Sequence, residues 1–281
     1  MRKAFNYSPS FQKTLNCAVT LTGVGLHTGL ESNMTLKPAR ENAGIVFYRT
    51  DVLPLHGRIV AKWDRVNDTM LCTKITNEYG VSVGTIEHLM AALFACDIDN
   101  IIIEIDAPEV PIMDGSCEPF VSAIEKAGIV EQNKIREVIE ILKPIHVKDH
   151  PSRWVSLEPD SKFSMDCHFE FTDRASLPAQ NYMFDGELET FKQEIIRART
   201  FGFLQDIEKL WEMGLAKGGS LENAVLIDGS RIVNDEGLRF TNECVRHKVL
   251  DAVGDLLLAG YRIQGKLTAC QSVHGLMNKL L

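Results

Sequence analysis

Along the first half of the chain, apolar and polar residues alternate in short runs, the period of half-buried strands. The pattern predicts strands around 17–37, broken by the glycine-rich turn TGVGLHTG (22–29), and a further strand at 44–49. VSVGTIEHLMAALFACDI (81–98) reads as a short strand running into a helix. Ile86, Leu89, Met90 and Leu93 mark that helix's apolar side, and Thr85 is the expected N-cap. NIIIEID (100–106) is a buried strand, and EVPIMDGSCEPFVSAIEKAGI (109–129) is a loop leading into a second helix.

The second half repeats the theme. REVIEILKPIHVKD (136–149), RWVSLEPD (153–160) and KFSMDCHFEF (162–171) read as strands, the last with strict period-2 alternation. ELETFKQEIIRART (187–200) and NECVRHKVLDAVGDLLLAG (242–260) are amphipathic and helical, and RIQGKLTACQS (262–272) closes with a strand. The expected class is α+β: two similar domains, each a mixed sheet on about two helices. The polar stretch EQNKIR places the boundary near 130–136, giving domains 1–133 and 134–281.

The helix at 242–259 carries a stripe that differs from its surroundings. His247, Asp251 and Asp255 recur every fourth residue, within an arc of about 80° at the helical period. A solvated face with i,i+4 pairs would look the same. A metal site would also look like this, but His247 and Asp251 need a further ligand. His27, His56, His88, His146, His150, His168 and His274 are the candidates. His88 stands out, because Glu87 precedes it at the start of a helix and could reach a bound water. No H-E-x-x-H occurs, and Glu87 in a first turn also suits the helix dipole. Two His and one Asp would leave a position open for water, with a carboxylate to take its proton and a charged histidine to face the developing oxyanion.

Composition narrows the classes. With a net charge of −8 and no long basic run, a nucleic-acid partner is not expected. The seven cysteines are scattered without C-x-x-C, which suits reduced thiols in the cytoplasm. The start, MRKAFNYSPSF, lacks the apolar core of a signal peptide, and no apolar run reaches transmembrane length.

TGVGLHTG (22–29), DTMLCT (68–73), TIEHLMAAL (85–93), PIMDGS (111–116), ARTFGF (198–203), GLRF (237–240), VRHKVLDAVGDL (245–256) and VHGLMNKLL (273–281) occur in this order. Together they make the chain resemble the UDP-3-O-acyl-N-acetylglucosamine deacetylases, zinc amidases of lipid A synthesis, from about residue 14 to the end. The resemblance implies zinc on His88, His247 and Asp251, with iron(II) (Fe2+) tolerated by the same ligands. It implies Glu87 as general base and His274 as the charged group at the oxyanion and leaving amine. It further implies Asp255 as the residue orienting His274, Thr200 as a hydroxyl at the substrate carbonyl, and Lys248 facing a polar or anionic part of the substrate. A strand–helix–strand insert near 201–228 would form a passage for the acyl chain, with Phe201, Phe203, Leu204 and Ile207 lining it. Leu26, His27 and Leu71 match positions near the substrate.

The implied partner is a UDP-linked acylated amino sugar, met by a cytoplasmic monomer with peripheral contact to the inner membrane. Val273 stands before His274 where the family usually has Gly, and Cys117 follows MDGS where it has a smaller residue. The resemblance also implies a longer helix and a tail beyond NKLL. Two other readings compete: a metal-dependent deacetylase of another N-acyl sugar, and a non-catalytic nucleotide-sugar binder. The latter predicts loss of Glu87 or a ligand, and neither is lost.

Overall fold

Two five-stranded mixed sheets share one strand order. The structure is a computed structural model that describes residues 10–171 and 177–281; the basic start of the chain, 1–9, lies outside the described residues. The first sheet uses Val19–Val24, Glu31–Pro38, Ile45–Arg49, Arg58–Val60 and Ile101–Ile105. The second uses Ile145–His150, Arg153–Glu158, Ser164–Phe169, Gln180–Phe184 and Lys266–Cys270. Taken in chain order within each sheet, the strands lie 1-2-5-3-4 in both. In both, the fifth strand pairs parallel with the third and antiparallel with the second. The halves therefore repeat in the topology of their sheets.

Alternation builds these sheets. Ile101–Ile105 buries Ile101, Ile103 and Ile105, and Glu31–Pro38 buries Ser32, Met34 and Leu36, so each strand puts one face into the core. Helices fill the space between. In the first half, α1 (Glu87–Ala95) precedes the fifth strand and α2 (Glu118–Ala127) follows it. In the second half, α3 (Leu188–Glu194) and α4 (Ile207–Glu212) come first, then α5 (Glu243–Leu256) before the fifth strand and α6 (His274–Leu280) after it. By position α1 and α5 are counterparts, and they pack against each other within one continuous core. A glycine makes their approach possible. A Cβ on Gly254 would sit 2.1 Å from the Glu87 carbonyl oxygen, so only glycine fits where α5 crosses the start of α1.

Several expectations change. α1 has no single apolar side; all of Glu87–Ala95 is buried. Thr85 is not its N-cap. Ile86 holds that position, while Thr85 adopts φ +54° and its hydroxyl donates to Glu109 Oε1 at 2.7 Å. The run 136–149 is two strands, Val138–Glu140 and Ile145–His150, in different sheets. The polar stretch at 130–136 is not a bare linker. Ile129–Ile135 forms a strand paired antiparallel with Phe11–Leu15, exposed except at Gln132, whose side chain donates to the Ala39 carbonyl and accepts from Asn100. The helix expected over 187–200 ends at Glu194. The chain then turns toward the insert, whose strands Phe201–Phe203, Val225–Asp228 and Arg231–Ile232 form a small sheet.

Candidate metal centre and active site

The crossing of α1 and α5 decides where the polar stripe points. His247, Asp251 and Asp255 are 1%, 6% and 3% exposed, so the stripe is not a solvated face. The approach allowed by Gly254 brings His88 of α1 against it. His88 and His247 meet edge to face with ring centroids 4.8 Å apart. Asp251 Oδ1 lies 3.6 Å from His88 Nε2 and 3.3 Å from His247 Nε2. The three ligand atoms all fall within 4.8 Å of one another.

The chemistry of this donor set fits a divalent cation. His247 Nδ1 is 3.0 Å from the Ala198 carbonyl, which fixes the tautomer and leaves the Nε2 lone pair toward the cluster. Burial pushes the His247 imidazole down to about 3, which keeps it neutral as a ligand must be. Asp251 Oδ1 is buried and accepts no hydrogen bond, a costly arrangement for a carboxylate unless a cation meets it. Its Oδ2 accepts from Lys248 Nζ at 2.9 Å. Burial alone would raise the Asp251 carboxyl, but it lies well below the usual carboxylate range, with the Lys248 ammonium bonded to it.

Beside the cluster stands a second group of buried ionisable residues. Glu87 Oε2 accepts the Thr73 backbone N–H at 3.0 Å, and Oε1 lies 3.8 Å from His274 Nε2. His274, the first residue of α6, places Nδ1 2.8 Å from Asp255 Oδ2. The other Asp255 oxygen accepts the Thr73 hydroxyl at 2.6 Å. Burial raises the Glu87 carboxyl above its ordinary value, although His274 and His88 oppose this. Burial would depress His274, but the Asp255 and Glu87 carboxylates overcome it and raise the imidazole to about 9. The two groups thus lie close together, each with a raised affinity for protons.

A cavity of about 610 Å³ opens in front of both groups. This is in the range of a small-molecule site, roughly 300–1,000 Å³. It is lined by His88, His247, Asp251, Glu87, His274, Thr200 and Lys248 at its polar end. Phe201, Phe203, Leu204 and Ile207 line its apolar part with Leu210 and Trp211, and Leu26, His27 and Leu71 also border it. Asp255 stands outside the lining, behind His274. Lys248 borders the cavity, with its ammonium bonded to Asp251 and 5.4 Å from the centre of the Phe201 ring.

The insert is docked by close backbone contact. A Cβ on Gly218 would fall 2.2 Å from the Gly25 carbonyl oxygen, so KGGS can lie against the 22–29 turn only as glycine. Glu109 holds that turn: its carboxylate accepts the backbone N–H groups of His27 and Thr28 and the hydroxyls of Thr28 and Thr85. Nothing in the run EVP signals that Glu109 is such a hub. Thr73, which touches both Glu87 and Asp255, is equally hidden within DTMLCT. His27 Nε2 is buried without a partner, and burial lowers its imidazole, favouring the neutral form.

Thr200 rests on a buried ion pair. Arg199 Nε donates to Glu243 Oε1 at 2.9 Å, and the Arg199 backbone N–H reaches the same oxygen. Arg199 Nη2 also donates to the Gly237 carbonyl, and Arg239 donates to Asp114 at 2.8 Å. The pieces ARTFGF, GLRF and PIMDGS are thus joined by charge-assisted hydrogen bonds. Glu243→Ala leaves a buried guanidinium without its main partner and is expected to cost about 3–5 kcal/mol. Chemical denaturation would show it, and an unchanged midpoint would contradict the assignment.

The same motifs decide the family. The family profile for UDP-3-O-acyl N-acetylglycosamine deacetylase matches residues 12–281. The chain belongs to this family. Relatives include the UDP-3-O-acyl-N-acetylglucosamine deacetylases of Histophilus somni strain 129Pt, Pasteurella multocida strain Pm70 and Vibrio vulnificus strain YJ016. Each is 49% identical over 271 residues, covering 96% of this chain and 88% of the relative. Membership of the UDP-3-O-acyl N-acetylglycosamine deacetylases makes the chain a deacetylase of lipid A biosynthesis, an amidohydrolase. Among the described residues, no helix is long and apolar enough to cross a membrane.

Proposed function

We propose that this chain hydrolyses the 2-acetamido group of UDP-3-O-acyl-N-acetylglucosamine, releasing acetate and the free amine, with zinc on His88, His247 and Asp251. The observation that carries this reading is the convergence of these three ligands and the Glu87–His274 pair on one cavity. Iron(II) suits the same nitrogen and oxygen donors. The units 1–133 and 134–281 each bring part of the chemistry: Glu87 and His88 from the first, the other groups from the second.

Zinc bound there supplies Lewis-acid polarisation of the amide carbonyl and activation of water. Glu87, with one oxygen held by Thr73 and its affinity for protons raised by burial, takes the proton of the attacking water through Oε1. His274 is an imidazolium at neutral pH and faces the developing oxyanion, then gives its Nε2 proton to the leaving amine. Asp255 keeps that ring oriented and charged. The Thr200 hydroxyl is a further donor to the oxyanion. Lys248, anchored on Asp251, presents positive charge at the same wall. Atoms balance: water's hydroxyl ends in acetate, and the nitrogen leaves as the amine.

The acyl chain runs along Phe201, Phe203, Leu204 and Ile207, while Leu26, His27 and Leu71 border the sugar. The cysteines, free in the structure, suit a reducing cytoplasm, from which the chain collects its acylated substrate at the inner membrane. The test is acetate release from UDP-3-O-acyl-N-acetylglucosamine, beside the same compound without its acyl chain. Chelator-sensitive release that depends on the acyl chain is expected; equal release from both compounds would favour another N-acyl sugar. Because the reaction needs protonated His274, kcat falls as pH rises through about 9. Asp255→Ala removes the leading support for that charge, so a pH–rate profile should show the fall at lower pH. An alkaline limb that does not move would contradict Asp255's role.

A further inference from the structure

Thr73 is buried, 1% exposed, in the loop before the strand Lys74–Thr76, and it touches both halves of the acid–base machinery. Its N–H donates to Glu87 Oε2 at 3.0 Å, its carbonyl accepts the Ile86 N–H at 3.4 Å, and its hydroxyl donates to Asp255 Oδ1 at 2.6 Å. It therefore bridges the start of α1 and the last turn of α5, 182 residues apart for the Asp255 bond.

The geometry gives each contact a consequence. A free carboxylate can rotate and offer either oxygen. With Oε2 pinned by the peptide N–H, Glu87 has Oε1 left for the proton and for His274. With Oδ1 held by the hydroxyl, Asp255 has Oδ2 left to meet His274 Nδ1. The next residue back is Cys72, and Leu71 before it adopts φ +63°, so the loop backbone is turned sharply to deliver Thr73 inward. Bulk solvent does not replace either bond, because both carboxylates are buried.

We propose that Thr73 is a positioning residue for the reaction, its hydroxyl setting the Asp255 carboxylate that aims His274. This rests on the roles given above to Glu87, Asp255 and His274. A side-chain change at 73 leaves the peptide N–H to Glu87 in place, so it isolates the hydroxyl.

The experiment is a double-mutant cycle on the zinc-loaded enzyme with Thr73→Val and Asp255→Ala, carrying Thr73→Ala and Thr73→Ser alongside and measuring zinc content, kcat and KM. Thr73→Val is expected to lower kcat about 10-fold with KM within about 2-fold, and Thr73→Ser to recover it to within about 3-fold. In the Asp255→Ala background the same change should cost less than about 2-fold, since the hydroxyl then has no carboxylate to set. Zinc content should stay at the wild-type level throughout. The assignment falls if whichever of Thr73→Val or Thr73→Ala folds keeps wild-type kcat, or if its loss is undiminished in the Asp255→Ala background. Should Asp255→Ala and Glu87→Gln themselves keep full turnover, the catalytic reading fails instead.

Discussion

Glu87→Gln is expected to lower kcat by about 10²–10⁴-fold, the usual contribution of a general base, while zinc stays bound. The amide has nearly the shape of the acid. Its carbonyl oxygen can still accept the Thr73 N–H, so the loop and the start of α1 keep their contact. It cannot take a proton from water. His274 loses one of the carboxylates that raise its pKa, although Asp255 remains at 2.8 Å. The kinetic signature is therefore a loss in kcat with KM little changed. Steady-state acetate release together with elemental analysis reads both quantities. Turnover near the wild-type rate would remove Glu87 from the mechanism, and loss of zinc would make it a ligand rather than a base.

Asp251→Ala should abolish metal binding at working concentrations, weakening affinity by more than about 100-fold. That bound exceeds the roughly 10–100-fold typical of losing a mere outer-shell partner. Asp251 is the only carboxylate among the three ligands, and it also holds Lys248. Removing it leaves two neutral imidazoles and a partly buried ammonium without its acceptor. A metal that binds the folded state stabilises it by mass action. Chelator should therefore lower the melting temperature of the wild-type protein and leave that of Asp251→Ala unmoved. A chelator-sensitive melting temperature in the variant would show that the ion sits elsewhere.

Much of this site is legible in the chain, for reasons that differ by residue. His247 and Asp251 belong to one helix, so their spacing alone puts them on one face. His88 can be joined to them only through the order of motifs, because the α1–α5 crossing depends on Gly254, whose role is steric and leaves no periodic trace. Burial of the stripe is also out of reach, since polar residues every fourth position look the same on a wet face. Thr85 misleads because a threonine before a helix is usually a cap. Here the backbone turns through φ +54° and the hydroxyl serves Glu109 instead. Thr73 and Glu109 carry no signal of their own; each acts through hydrogen bonds to residues far along the chain. The strand Ile129–Ile135 is hidden by its polar side chains, which are exposed, Gln132 apart, beside its partner Phe11–Leu15.

The proposed chemistry depends on one zinc ion held by His88, His247 and Asp251. X-ray absorption at the zinc edge, on protein shown to hold one zinc per chain, tests this most directly because it reports the donors themselves. Nitrogen and oxygen neighbours at about 2.0–2.2 Å, including imidazole scattering from two rings, are expected. Sulfur at about 2.3 Å would place the ion on cysteine and contradict the site.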